Sequence, residues 1–271
     1  MITSGLTTAV EAIMRDASEW AILPRYQSLA AADIDAKAPD DVVTIADKDS
    51  EALLTERLSR LLPEAAVVGE EATFADASVM DQLRDRLCWI VDPLDGTNNF
   101  AAGTPPFGVL VALADKGEIL GGWILDCLSG RFCHAETGSG AWIDGDRVQA
   151  SPSGADLPIA AISLVFLEQA RREQIREHIA PHYRLVDIPR CAAEQYPRLV
   201  LGNNDVSLFE RTLPWDHAAG ALFLNEAGGY CARPDGSPYR VDEFERRGMI
   251  GASSKTLFDD LARRLQHLDR L

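Results

Sequence analysis

Between Phe107 and Ile143 the chain carries four apolar stretches, Phe107–Ala114, Ile119–Leu125, Arg131–Ala135 and Ala141–Ile143. They are separated by Asp115-Lys-Gly117, Ser129-Gly130 and Gly138-Ser-Gly140. Short strands punctuated by glycine turns at this spacing predict an antiparallel meander. Upstream, Leu6, Val10, Ile13, Ala17 and Trp20 recur at steps of four and three, one face of an amphipathic helix. A second helix is expected from Lys48 to Leu62, stopping before Pro63. Two β-like runs follow, Ala65–Val68 and Leu87–Val91, each ending in acidic residues.

The stretch Ser151-Pro-Ser-Gly-Ala-Asp-Leu-Pro158 is the best candidate for a boundary. Beyond it strand and helix alternate. Ile159–Phe166 and Tyr183–Ile188 read as strands, and Glu168–Ile179, Ala192–Leu201, Asp216–Ala227 and Leu257–Leu268 as helices. Gly228-Gly229 suits a left-handed C-cap after the third of these. The expectation is α+β, with a meander-bearing subdomain over residues 1–150 and an alternating one over 151–271. A chain of 271 residues buries roughly three quarters of its unfolded surface, enough for such a pair.

Charge narrows the function classes. With 26 basic and 42 acidic side chains the net charge is −16, which repels phosphate backbones and anionic lipid. Nucleic acid and membrane surfaces are therefore not expected as partners. No apolar run is long enough to span a bilayer, and the first residues show no secretory pattern. Five scattered cysteines without a Cys-x-x-Cys pair suit reduced thiols and provide no zinc site. A cytoplasmic location is expected on these grounds.

The chemistry concentrates in Trp89-Ile-Val-Asp92-Pro-Leu-Asp95-Gly96-Thr97-Asn98-Asn99-Phe100. An apolar strand runs into Asp92, Pro93 cannot continue a central ladder, and Gly96 allows a tight turn. The Gly96 and Thr97 amides that follow suit an anion if a helix or turn begins there. Two bare carboxylates about 4 Å apart repel by roughly 4 kcal/mol at an effective dielectric near 20. A carboxylate pair beside an anion cradle is consistent only with a divalent cation between them, and hard oxygen ligands suit Mg²⁺. A capped Asp-Gly turn is the plainer alternative for Asp92 alone. Val67-Val-Gly69-Glu70-Glu71 is another apolar strand ending in carboxylates, with Glu70 the better candidate. Asp216, in Trp215-Asp216-His217, is placed as a helix N-cap that also has an oxygen to spare for a ligand. Asp47 is read as the cap of the second helix, with support of the metal site as its second role. His217 is read as packed or solvated rather than ligating. Gly-x-Ser-x-Gly, the Walker pattern and the dinucleotide fingerprint are absent, and no basic residue accompanies Cys191 to activate its thiol.

Together Gly69-Glu70-Glu71, the Trp89–Phe100 segment, and Trp215-Asp216-x-x-Ala219-Gly220 followed by Glu226-Ala-Gly-Gly229 resemble the inositol monophosphatase family, Mg²⁺-dependent and Li⁺-sensitive phosphatases. The order and spacing match from Thr44 to about Ala252. The resemblance implies a layered αβαβα sandwich, two or three Mg²⁺ per active site, a small phosphate ester as substrate and a homodimer. It implies that Glu70, Asp92 and the Leu94 carbonyl hold one metal, and that Asp92, Asp95 and Asp216 hold a second. Thr97 with Glu70 would orient the attacking water, and the Gly96 and Thr97 amides would bind phosphate. Ala192, Ala193 and Glu210 would contact the organic part of the substrate. Asn98 and the Ala101–Pro106 stretch depart from the family pattern beside the pocket, so the ester is left open. An inositol or similar polyol phosphate is expected first; phosphoadenosine phosphate, histidinol phosphate and fructose bisphosphate are alternatives. A regulatory binding protein on the same fold is the reading of another class.

Overall fold

The computed structural model describes residues 4–38, 41–162, 164 and 167–268. α1 (Ser4–Ala17) buries Val10, Ile13 and Ala17 as the spacing predicts, but Trp20 does not continue that face. A π-helical turn over Ser18–Ile22 widens the winding, and Trp20 swings out to 71% exposure. The antiparallel pair β1 (Ile34–Ala38) and β2 (Asp41–Thr44) leads into α2 (Ile45–Leu61). α2 begins at Ile45 rather than Lys48 because Thr44 and Asp47 form a capping box across its first turn.

β3 (Ala66–Gly69) runs directly into α3 (Glu70–Ala75), and α4 (Gln82–Asp85) precedes β4 (Leu87–Asp95). α5 (Thr97–Ala101) then leads to β5 (Gly108–Asp115), β6 (Glu118–Asp126), β7 (Phe132–Glu136), β8 (Gly140–Ile143) and β9 (Asp146–Val148). These strands form one sheet in the order β3-β4-β5-β6-β7-β8-β9, antiparallel except for the β3–β4 pair. The expected meander is present, with β9 added; three residues are too few to show a period. Pro93 lies inside β4 instead of ending it. Pairing with β5 is regular to Asp92, slips, and resumes where Asp95 faces Gly108. The missing proline N–H falls in that slip, so the strand bends without breaking.

The second sheet is built from β10 (Ile159–Ile162), β11 (Arg184–Val186), β12 (Val206–Phe209), β13 (Tyr230–Ala232) and β14 (Met249–Ala252), in the order β11-β10-β12-β14-β13. Its helices are α6 (Gln169–Gln174), α7 (Ala192–Val200), α8 (Pro214–Glu226) and α9 (Lys255–Leu268). The strand expected to Phe166 ends at Ile162, and residues 163, 165 and 166 lie outside the described ones. The helix expected to Ile179 is α-helical only to Gln174, then winds as a π-turn over Ile175–Ile179.

Layering follows from which faces are apolar. Trp89 and Val91 of β4 pack toward α1 and α2, while Cys88 and Ile90 pack toward α7 and α8. Covered on both faces, the strand reads as a continuous apolar run. Each such buried side chain contributes roughly 1.5–3 kcal/mol. A third cluster joins Val206, Ile250 and Ala252 of the second sheet to Ile175, Phe258 and Leu261. The result is the αβαβα sandwich, with α8 at its centre. Ala218–Leu224 are all buried because α8 has a sheet on each side. Gly122 of β6 admits that helix: a Cβ there would lie 2.7 Å from Ala219 Cα. At the far end of α8 the Glu226 carboxylate accepts the Gly138 and Gly140 amides of the β7–β8 hairpin, at 2.7 and 2.8 Å.

Candidate active site

The site is assembled where β4 bends. Asp92 is 2% exposed, and its Oδ1 accepts the Leu94 amide at 3.1 Å. Asp95 is held from the other side: its Oδ2 accepts the Ala193 amide at 2.6 Å and the Cys191 thiol at 3.0 Å. Gly96 follows in the left-handed region at φ 84°, where a Cβ would also lie 2.8 Å from the Pro106 carbonyl oxygen. That turn starts α5 at Thr97. The Thr97 hydroxyl lies 2.9 Å from Asp47 Oδ1 and 2.8 Å from the Leu94 carbonyl; with one proton, it donates to one of them at a time. Asp47 Oδ2 accepts both the amide and the hydroxyl of Thr44 at 2.7 Å, so the helix cap and the site support are one residue. Ser50 secures the bend from beneath by donating to the Pro93 carbonyl at 2.8 Å.

Glu70 opens α3 at the end of β3 and is half-buried. α3 is anchored by Glu51 of α2, which accepts the Glu71 and Ala72 amides, both at 2.8 Å. Asp216 is not the N-cap of α8. Pro214 takes the first helical position, where its absent N–H costs nothing, and Asp216 falls third. The segment before it is fixed at successive residues. Gly248 donates to the Glu210 carbonyl at 3.1 Å, and His217 Nε2 to the Arg211 carbonyl at 2.9 Å. Arg233, fully buried, donates to the Thr212 hydroxyl at 2.9 Å and to the carbonyls of Arg246, Gly248 and Glu243. His217 is packed as expected, its other nitrogen bonded to the Tyr196 hydroxyl at 2.8 Å. Arg211 Nη2 stands 3.9 Å from Asp216 Oδ2.

The carboxyls of the two halves act on one another. Burial pushes the Asp92 carboxyl well above its usual range, and Glu70, Asp95, Asp216 and Asp47 push it further. Burial also raises Asp95, against the opposing pull of the Ala193 amide and the Cys191 thiol. Asp47 is raised to about 7 by burial, its bonds to Thr44 acting the other way. The principal influences on Asp92 besides burial are thus four other carboxylates. Among the described residues no three such side chains close on a single point as they lie. The donor set nonetheless fits a hard cation: all oxygen, and mutually repelling unless neutralised.

Several site-building residues carry no sequence signal on their own. Glu51, Ser50 and Arg233 act through backbone groups far along the chain. Ala192 and Ala193 open α7, and Ala193, 1% exposed, faces Asp95 with its amide rather than presenting a side chain to a pocket. Asn99 donates to the carbonyls of Pro106 and Pro189, both at 2.9 Å. Arg190, between Pro189 and Cys191, is exposed and adopts φ 54°, a conformation costing a non-glycine residue roughly 1–2 kcal/mol.

The layered sandwich thus gathers oxygen donors and a glycine turn at the end of one strand, and similarity to known proteins gives the class of chemistry they serve. A sequence profile described as the inositol monophosphatase family matches residues 3–270. The chain is 30% identical over 240 residues to an inositol-1-monophosphatase of Mycobacterium leprae, covering 86% of this chain and 81% of that one. It is 29% identical to a fructose-1,6-bisphosphatase/inositol-1-monophosphatase of Thermotoga maritima, over 70% of each. The crystal structure of the extragenic suppressor protein suhB from Bartonella henselae superposes with a TM-score of 0.81 at 25% identity, covering 97% of this chain and 98% of that one. The chain belongs to the inositol monophosphatase family, phosphatases of phosphate monoesters that are generally Mg²⁺-dependent.

Proposed function

We propose that the protein hydrolyses a small polyol phosphate, an inositol monophosphate first among them, by attack of a water molecule on phosphorus. The observation that carries this is Asp92, buried at the bend of β4 within the influence of Glu70, Asp95, Asp216 and Asp47. Glu70, Asp92 and the Leu94 carbonyl would hold one Mg²⁺, and Asp92, Asp95 and Asp216 another. Bound Mg²⁺ supplies Lewis acidity, lowering the pKa of water and neutralising phosphoryl oxygens.

The chain's own groups provide position. The Thr97 hydroxyl, when it donates to Asp47, keeps its lone pairs for the hydrogen of an attacking water, and Glu70 is the carboxylate that takes part in orienting it. Asp47 fixes that hydroxyl because Thr44 fixes Asp47. The Gly96 and Thr97 amides receive the phosphate. Glu210 and the start of α7 at Ala192 border the organic part. Residues 1–150 and 151–271 each bring part of the set, Asp216 and Glu210 coming from the latter. Unaided phosphate monoester hydrolysis requires accelerations of up to about 10²¹, and in-line positioning is most of what a protein can add beyond the ions.

Phosphate release from inositol-1-phosphate, glycerol-2-phosphate, adenosine-2′-monophosphate, histidinol phosphate and fructose bisphosphate, with and without Mg²⁺ and with Li⁺, is the test. Mg²⁺-dependent release of one ester, lost with Li⁺, supports the reading and selects the branch. Absence of Mg²⁺ binding by calorimetry, even with phosphate present, would sink it.

A further inference from the structure

We propose that Arg190 is a specificity-determining residue that engages a second anionic group, a phosphate or a carboxylate, on the organic part of the substrate. The proposal rests on the phosphomonoesterase reading and deepens it. Among the described residues four non-glycine residues have positive φ: Gln27, Lys116, Asp144 and Arg190. Lys116 and Asp144 are the first residues of two-residue hairpin turns, between Asp115 and Glu118 and between Ile143 and Asp146, where that conformation is required. Arg190 lies in no hairpin. It is the last residue before Cys191 and α7, in a segment that other elements grip on both sides.

On one side Asn99 of α5 holds the Pro189 carbonyl at 2.9 Å. On the other the Cys191 thiol donates to Asp95 Oδ2, and Cys191 Cβ stands 3.3 Å from where a Gly96 Cβ would be. Arg190 is therefore mounted between the residue that starts the phosphate turn and the helix that follows it. A strained backbone kept at such a point is the kind that accompanies function.

The guanidinium is available. Arg190 is exposed and makes no hydrogen bond or ion pair among the described residues. The acidic residue nearest to it along α7, Glu194, is already taken by Arg131 at 2.6 Å and Arg198 at 2.7 Å. Arg211, on the opposite segment, stands beside Asp216. In a chain of net charge −16, a substrate carrying a second anion meets repulsion everywhere except where a cation is presented. Arginine presents a planar fork that matches phosphate and carboxylate with two parallel hydrogen bonds.

The experiment compares matched ester pairs that differ only in the second anion: fructose 1-phosphate with fructose 1,6-bisphosphate, and adenosine 3′-monophosphate with adenosine 3′,5′-bisphosphate. In the wild type kcat/KM is expected to favour the bisphosphate of at least one pair by about tenfold, through KM. Arg190→Gln should erase that preference, and Arg190→Lys should retain part of it. Arg190→Gly relieves the backbone and secures folding, yet should erase it equally. Bisphosphate preference at or below one in the wild type, a preference that survives in Arg190→Gly, or equal losses on both members of a pair would each overturn the assignment while leaving the phosphatase reading intact. No Mg²⁺-dependent release from any ester would overturn both.

Discussion

The two halves of the site hold their carboxylates by different means. In the β4 half, Asp92 and Asp95 sit three residues apart on a bent strand, and short-range partners such as Leu94, Thr97 and Gly96 complete the geometry. In the α8 half, Asp216 stands on a helix whose approach segment is suspended from Arg233, His217 and Tyr239. The first half is a bent strand and turn that α2 and the start of α7 brace from outside, and the second hangs from buried polar side chains, Arg233 above all. Damage to the first should therefore strike chemistry, and damage to the second should strike stability and chemistry together.

Asp92→Asn gives the largest effect expected from that contrast. Turnover should fall by about 10³ or more, since the carboxylate shared by both proposed metals is gone. Thermal stability without metal should hold or rise, because a buried repelling charge is removed. Activity above a tenth of wild type would break the assignment. Next comes the junction: Gly122→Val drives atoms into Ala219, with a cost of about 3 kcal/mol, or roughly 6–12 °C in melting temperature. Activity should fall with it. A melting temperature within 2 °C of wild type, roughly 1 kcal/mol or less at this chain length, would show that α8 is not tightly seated.

Arg233→Met strands the carbonyls of Arg246, Gly248 and Glu243 and should cost about 2 kcal/mol by denaturant titration. The Mg²⁺ concentration for half-maximal rate should rise as Asp216 loosens; an unchanged value would separate the 210–213 segment from the metal site. The smallest effect lies outside both halves. Burial raises Asp260, but bonds to Arg264 and Tyr183 outweigh it and leave the carboxyl below 3.8. Its stabilisation is thus present above that pH and is lost as pH falls through the depressed folded value. Asp260→Asn should cost about 1 kcal/mol at neutral pH and converge with wild type as pH falls through the depressed folded value, with kcat unaltered.

What the sequence made legible follows the same division. The meander, the place of the turn at Asp92–Asp95 and the small residues Ala218–Gly220 could be read because proline, glycine and apolar spacing mark each within a few positions, although the groups that brace the turn come from far along the chain. Asp47 was half legible: its cap is local, its bond to Thr97 is not. Trp20 misled because a π-turn, not a composition change, removed it from the α1 face. The start of α8 misled because proline at the first helical position displaced the aspartate cap. Glu51, Ser50 and Arg233 were illegible, since each acts on backbone groups whose proximity only the fold creates.

Helix α8 is fastened at both ends: the approach segment grips its first turn, and the β7–β8 hairpin clasps Glu226 at its last. A strut fixed at both ends cannot serve as the axle of a hinge. The two sheets are therefore expected to keep their separation during turnover, with entry and exit left to side chains and short segments at the rim. Such an enzyme spends its flexibility at the doorway and none in the frame.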